Sequence, residues 1–275
     1  MIDAHHHLWS YDAADYPWMP PGVLRRDYGP RDLREVAAPL GVTGSIAVQA
    51  RQTLAETDWL LALAASDPFL QGVVGWVPLT DPRVGQVLDH LLDSPRLRGV
   101  RHVVQDEPDG FLLATDFNRG LAEVTRTGLV YDLLIFARQL DEAIAFVGRH
   151  PEQTFVLDHI AKPTIDPAGS DDHWHDRIGR LAERDNVWCK VSGMATEVTA
   201  TEWTDADLQP YWDRTLEVFG PERLMFGSDW PVSRLATEYD RWLSCVQQWA
   251  AALSESERSG LFGETAASVY RLEQP

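Results

Sequence analysis

The chain has 275 residues, 44% of them hydrophobic and 24% charged, an ordinary composition for a globular protein with a large core. Its formal net charge of −18 opposes nucleic acid and anionic membrane as partners and leaves a small-molecule substrate, for which a site can be locally positive. The two cysteines, Cys189 and Cys245, imply no disulfide framework, no apolar run approaches membrane length, and nothing before the first strand reads as a leader, so a cytoplasmic enzyme is the expectation.

Residues 1–9 (MIDAHHHLW) read as a strand that ends in three histidines. Strand side chains alternate between faces, so His5 and His7 share one face and His6 takes the other. Two imidazoles on one face, one residue apart, are a ligand pattern for Zn²⁺ and similar ions. A tag remnant is the plainer reading, but this run is embedded in apolar strand sequence. Residues 10–30 hold Tyr11, Tyr16, Trp18 and Tyr28 among Pro17, Pro20, Pro21 and Pro30 without period, the mark of a long ordered loop of the kind that serves as lid or binding loop. A helix follows over 31–40.

From there a unit repeats. Strand 43–50 leads to helix 53–66, with Thr53 as N-cap and Glu56 three residues on. Strand 70–77 leads to a helix capped by Asp81 with Pro82 in its first position. Strand 97–104 leads to helix 116–127, capped by Asp116 and closed by Gly128. Strand 129–136 is followed by helix 140–150, strand 154–159 by helix 171–184, strand 187–192 by helix 205–219, and strand 223–228 by helices near 238–252 and 264–271. Eight βα units without a linker predict an α/β fold, a single-domain (β/α)8 TIM barrel over 1–275 with 10–30 as an extended active-site loop. A doubly wound open sheet is the alternative, but no Gly-rich phosphate loop follows the first strand.

Catalytic groups of a barrel sit at the C-terminal ends of its strands. Here those ends carry Asp3, His5 and His7; Gln49 and Arg51; Arg101 and His102; Asp158 and His159; Lys190 and Ser192; and Ser228 with Asp229. A buried ionisable group without a partner is costly, so this convergence on one rim predicts a site. Each residue also has a plainer reading. His159 would serve as a core histidine and Asp229 as a helix cap. Asp158 should point away from the side His159 takes and be structural, with Lys190 pairing it or another acid behind the barrel wall. Arg101 and His102 face opposite ways on a regular strand, although a bend at the tip would bring both near the pocket. His173 and His175 lie on a polar helix start and read as solvated.

The Asp-Xaa-His-Xaa-His pattern of Asp3, His5 and His7, the histidine His159 ending strand six and the aspartate Asp229 ending strand eight resemble the amidohydrolase superfamily. Finer phrases are similar to its amidohydrolase-2 family of lactone hydrolases: LDHIAKP at 157–163, KVSG at 190–193, GSDWP at 227–231, YPW at 16–18 and GVRH at 99–102. The resemblance spans nearly the whole chain. It implies a hydrolase acting on a lactone such as fuconolactone or rhamnonolactone, or on a pyrone dicarboxylate. Strand five lacks the lysine that bridges two metals in binuclear members, so a binuclear centre is not expected.

The resemblance implies roles for the candidate residues. Asp229, His159 and His102 are the candidate catalytic residues, with Asp229 taking the proton of the attacking water. His5, His7, His159 and Asp229 are the candidate ligands of one divalent metal, zinc first and manganese second. A metal-free version uses the histidines to polarise the carbonyl directly. Arg101, Gln49, Trp9, Trp18, Trp76 and Trp230 are the candidate substrate-binding residues, the tryptophans having ordinary packing as their plainer reading. A metal-dependent decarboxylase of the same superfamily and a non-catalytic sugar-acid-binding barrel are the rival readings. A homo-oligomer is compatible with the sequence.

Overall fold

Short apolar strands alternating with helices close on themselves. The computed structural model describes residues 1–167, 169 and 171–273. Among the described residues, eight parallel strands run in sequential order: β1 (Ile2–His6), β2 (Gly44–Val48), β3 (Leu70–Gly75), β4 (Leu97–Val103), β5 (Val130–Leu134), β6 (Phe155–Leu157), β7 (Val187–Val191) and β8 (Leu224–Phe226). The barrel closes at the strand tips, where Asp229 N donates to His5 O at 2.8 Å and His7 N to Trp230 O at 2.7 Å. The (β/α)8 reading therefore stands, although most strands are one to three residues shorter than expected at one or both ends.

The two-residue period explains the layers. Ala4, Ile46, Val48, Val74, Val130, Val156 and Met225 fill the barrel interior. Their strand neighbours, among them Ala47, Val73, Leu133, Leu157 and Val191, pack outward with the helices. Ala266, Tyr270 and Leu272, near the end of the chain, join the interior cluster and floor the barrel at its N-terminal end.

The helices are α1 (Pro30–Ala37), α2 (Leu54–Ser66), α3 (Val84–Leu91), α4 (Thr115–Thr127), α5 (Leu140–Arg149), α6 (Asp172–Ala182), α7 (Asp205–Phe219), α8 (Tyr239–Trp249), α9 (Glu255–Ser259) and α10 (Thr265–Val269). Thr53 caps α2 by accepting from Glu56 N at 3.2 Å, an interaction worth about 1 kcal/mol. Two expected caps differ. Asp81 instead holds a tight turn, its Oδ1 accepting from Arg83 N at 2.8 Å, and α3 starts only at Val84. Asp116 lies inside the first turn of α4, whose cap position is Ala114. The short helix α9 was not expected, although its capping box of Ser254 and Glu257 is visible in the sequence.

The 10–30 segment is anchored by an antiparallel bridge between Trp9 and Tyr28, with N–O distances of 3.0 and 2.9 Å. Tyr16 adds a hydrogen bond from its hydroxyl to Glu56 at 3.2 Å, and Tyr28 one to the Val23 carbonyl at 2.6 Å. Among the described residues, no helix is long and apolar enough to cross a membrane.

Candidate active site

The site begins with a bulge. Between the pairs Asp3–Ser45 and His6–Ala47, β1 carries one residue more than β2. Asp3 and His6 therefore both face outward, and His5 and His7 face the interior. Asp3 joins β1 to β8 and α8: its carboxylate accepts from Ser228 N at 2.9 Å, Ser228 Oγ at 2.6 Å and Tyr239 OH at 3.0 Å. Burial raises its carboxyl to about 6, against those donors. His6 is fully buried with neither ring nitrogen hydrogen-bonded, and burial pushes it down to about 3, so it is neutral.

His5, His7, His159 and Asp229 meet at the C-terminal end of the barrel. His5 Nε2 lies 3.2 Å from His7 Nε2. Asp229 Oδ1 lies 3.4 Å from His7 Nε2 and 3.8 Å from both His5 Nε2 and His159 Nε2. His7 Nδ1 donates to the Val48 carbonyl at 2.8 Å, which leaves the Nε2 lone pair aimed at the cluster. His159 Nδ1 contacts Ser192 Oγ at 2.8 Å. Burial holds His5 well below the usual imidazole range, against the pull of Asp158, and brings His159 down to about 4 despite Asp229. Burial acts to raise Asp229, but the surrounding histidines, His159 first, outweigh it and hold the carboxyl well below the ordinary range. Asp229 is therefore an anion facing the neutral imidazoles of His5 and His159.

Tight backbone geometry builds this arrangement. His159, Ile160, Ala161 and Lys162 all have positive φ (53°, 49°, 64° and 47°), as does Asp229 at 56°. A left-handed conformation costs a residue with a side chain about 1–2 kcal/mol, and such strain collects at functional sites. Two glycines make room for the imidazoles. A Cβ on Gly193, at φ 64°, would lie 2.6 Å from His159 Nδ1, and one on Gly227 would lie 2.7 Å from His5 Cβ. The glycines of the KVSG and GSDWP phrases thus have a steric reason.

Beneath the imidazoles lies a set of buried charges. Arg101 donates from Nη1 to Asp158 Oδ2 at 2.9 Å and from Nη2 to the Gln49 carbonyl at 2.5 Å. Lys190 Nζ lies 2.5 Å from Asp132 Oδ2, 3.1 Å from Asp158 Oδ1 and 3.2 Å from His5 Nδ1. Asp158 Oδ1 also lies 3.2 Å from His5 Nδ1; no donor is aligned on that oxygen, so the attraction there is electrostatic. Tyr270 OH reaches up from the floor to Asp132 Oδ1 at 2.7 Å. Burial raises Asp132 to about 6 against the pull of Lys190. Burial acts the same way on Asp158, but Lys190, His5 and Arg101 outweigh it and keep it ionised.

This corrects two expectations. Asp158 does not point away from the site: β6 ends at Leu157, and the left-handed turn that follows turns His159 inward beside it. Lys190 lies inside the barrel, not behind its wall. Asp132 and Tyr270 went unnoticed in the sequence, although an aspartate inside the apolar strand VYDLL was a signal.

The remaining candidates divide. Gln49 is buried with both side-chain amide atoms unbonded, and its carbonyl serves Arg101. His102 is not brought to the cluster. Regular alternation runs through the tip of β4, so Arg101 pairs with inward Asp132 and His102 with outward Leu133. There His102 stacks on Phe111, with ring centroids 4.9 Å apart, and its Nε2 lies 2.7 Å from Glu107. Trp76 Nε1 donates to His102 Nδ1 at 3.4 Å. Trp9 is buried and donates from its indole to the Arg26 carbonyl at 2.9 Å, Trp230 is buried edge-on against Tyr28, and Trp18 is 47% exposed.

The donor set fits a divalent cation. His5, His7 and Asp229 each offer one ligand atom, all within 4.8 Å of one another. Tetrahedral zinc with bonds of about 2.0–2.1 Å spaces its ligand atoms about 3.3–3.4 Å apart, close to the separations here.

Comparisons with known proteins agree with this geometry. The family model described as Amidohydrolase matches residues 2–272. An L-fucono-1,5-lactonase of Burkholderia multivorans is 42% identical, over 100% of this chain and 97% of that protein. A second L-fucono-1,5-lactonase, from Burkholderia ambifaria, is 34% identical over 100% and 96%. A crystal structure of a Burkholderia multivorans amidohydrolase with bound zinc superposes with a TM-score of 0.94, at 42% identity and 99% coverage of each chain. The chain thus belongs to the amidohydrolase family.

Proposed function

We propose that this protein is a hydrolase that opens a sugar-acid lactone by attack of water on the ring carbonyl. The observation that carries the reading is Asp229, an anion 3.4–3.8 Å from three imidazoles at the C-terminal end of the barrel. The fuconolactone substrate class is supported by the 42% identical relative, which matches over the full length of this chain.

Lactone hydrolysis needs an activated water, a polarised carbonyl and a proton for the departing alkoxide. Asp229 accepts the proton of water and returns it to the ring oxygen, a general acid–base contribution of about 10²–10⁴-fold. The neutral imidazole of His159, which lies beside the three cation ligands, stabilises the carbonyl oxygen as charge builds on it. Arg101, Lys190 and Asp158 hold His5 in place from below. Asp229 is a weak base by itself, because its carboxyl is so acidic, and works best on a water that is itself acidified. His5, His7 and Asp229, with His159 beside them, would hold one divalent cation, zinc before manganese, which when bound supplies Lewis acidity to carbonyl and water. The two cysteines, free and buried, fit a reducing cytoplasmic compartment.

Proton release, followed with a pH indicator across sugar-acid lactones and pyrone dicarboxylate, tests the reading. A sugar-acid lactone hydrolysed far above background is the expected result. Folded protein supplied with zinc or manganese that accelerates none of them would overturn it, and CO₂ release from a hydroxybenzoate would point to the decarboxylase instead.

A further inference from the structure

Next to the imidazole cluster, four successive strand ends contribute a second set of side chains, three polar and one aromatic, that none of the roles above uses. Gln105 follows β4, Phe136 follows β5, Lys162 follows β6 and Glu197 follows β7. Lys162 Nζ lies 3.2 Å from Gln105 Oε1 and 3.3 Å from Glu197 Oε1, and 5.3 Å from the centre of the Phe136 ring. All four side chains are partly open to solvent.

The left-handed turn explains why Lys162 is there. Lys162 N donates to His159 O at 2.8 Å, and in a turn of this i to i+3 type the first and last side chains project together. His159 and Lys162 thus share a side, while Ile160 and Ala161 are fully buried. The indole of Trp174 locks the turn by donating to the Ile160 carbonyl at 2.6 Å. The two groups also sense each other's charges. Burial raises the Glu197 carboxyl, Lys162 opposes this, and the Asp229 charge adds to it.

We infer that Lys162, Gln105 and Glu197, over the ring of Phe136, form the subsite that binds the hydroxyl groups of the lactone while its carbonyl lies at His5, His159 and Asp229. An ammonium donates, a carboxylate accepts and an amide does both, so the three satisfy adjacent hydroxyls that act as donor and acceptor at once. The aromatic face offers an apolar surface to the C–H side of the ring. Lys162 is already neutralised by Glu197, so the subsite selects a neutral polyhydroxylated ring over a dicarboxylate. The inference rests on the lactonase reading and names the part of the site that reads the substrate.

The test compares a sugar-acid 1,5-lactone with δ-valerolactone, which has the same ring without hydroxyls, assayed as substrate or as competitor. In Lys162→Met the preference for the hydroxylated lactone should fall tenfold or more, through a rise in KM rather than a fall in kcat. Gln105→Leu, which removes a partner from a different strand end, should shift the preference the same way. It carries the test should Lys162→Met fail to fold by circular dichroism. A preference within twofold of wild type in a folded variant would overturn the subsite. Wild-type protein inactive on every sugar lactone would instead overturn the lactonase reading.

Discussion

Asp229→Asn is expected to lower kcat by about 10²–10⁴-fold, with little change in KM or melting temperature. Asparagine has the same shape and also tolerates the left-handed backbone at φ 56°, so the bond from residue 229 N to His5 O persists. What is lost is the anion facing His5, His7 and His159, and with it the ability to take a proton from water. Steady-state kinetics beside a circular-dichroism melt separate this from a folding defect. Near-native turnover would remove Asp229 from the chemistry.

Lys190→Met is expected to have the largest effect on stability. The methionine keeps most of the buried apolar volume but leaves Asp132 and Asp158 without their shared cation, in a barrel interior where all three groups are fully buried. Removing one partner of a buried ion pair costs about 3–5 kcal/mol, which lowers the melting temperature of a chain this size by roughly 6–20 °C. Adding Asp132→Asn should restore part of the loss, because it removes one of the stranded charges; the two changes will not be additive. A melting temperature within about 2 °C of wild type would show that the three groups do not act as a unit. Activity should fall as well, since Lys190 Nζ lies 3.2 Å from His5 Nδ1.

Physical reasons decide which parts of this arrangement can be read from the sequence. The barrel is legible because strand and helix signals are local: short apolar runs rich in Val, Ile and Leu mark most of the strands, and caps such as Thr53 mark helix starts. His5 and His7 are legible for the same reason, two residues apart in an apolar strand. The bulge in β1 is not, so Asp3 looks like a member of the cluster when it is in fact a tie between β1, β8 and α8. His102 shows the converse. A bend was needed to bring it to the pocket beside Arg101, and β4 stays regular. The turn at 159–162 is invisible locally because His-Ile-Ala-Lys contains no glycine. It exists because Trp174 holds the Ile160 carbonyl and Gly193 leaves space for His159, both contacts with distant residues. Asp132 and Tyr270 meet only once the barrel is closed and its floor is in place.

The central claim is that water attacks a lactone carbonyl at the Asp229 cluster. Its most direct test is turnover of the sugar-acid lactone in ¹⁸O-water, with the product examined by mass spectrometry. The account predicts one ¹⁸O per product, located in the new carboxylate, at a rate that collapses in Asp229→Asn. Label in the alcohol oxygen, or a product that has lost CO₂, would contradict it.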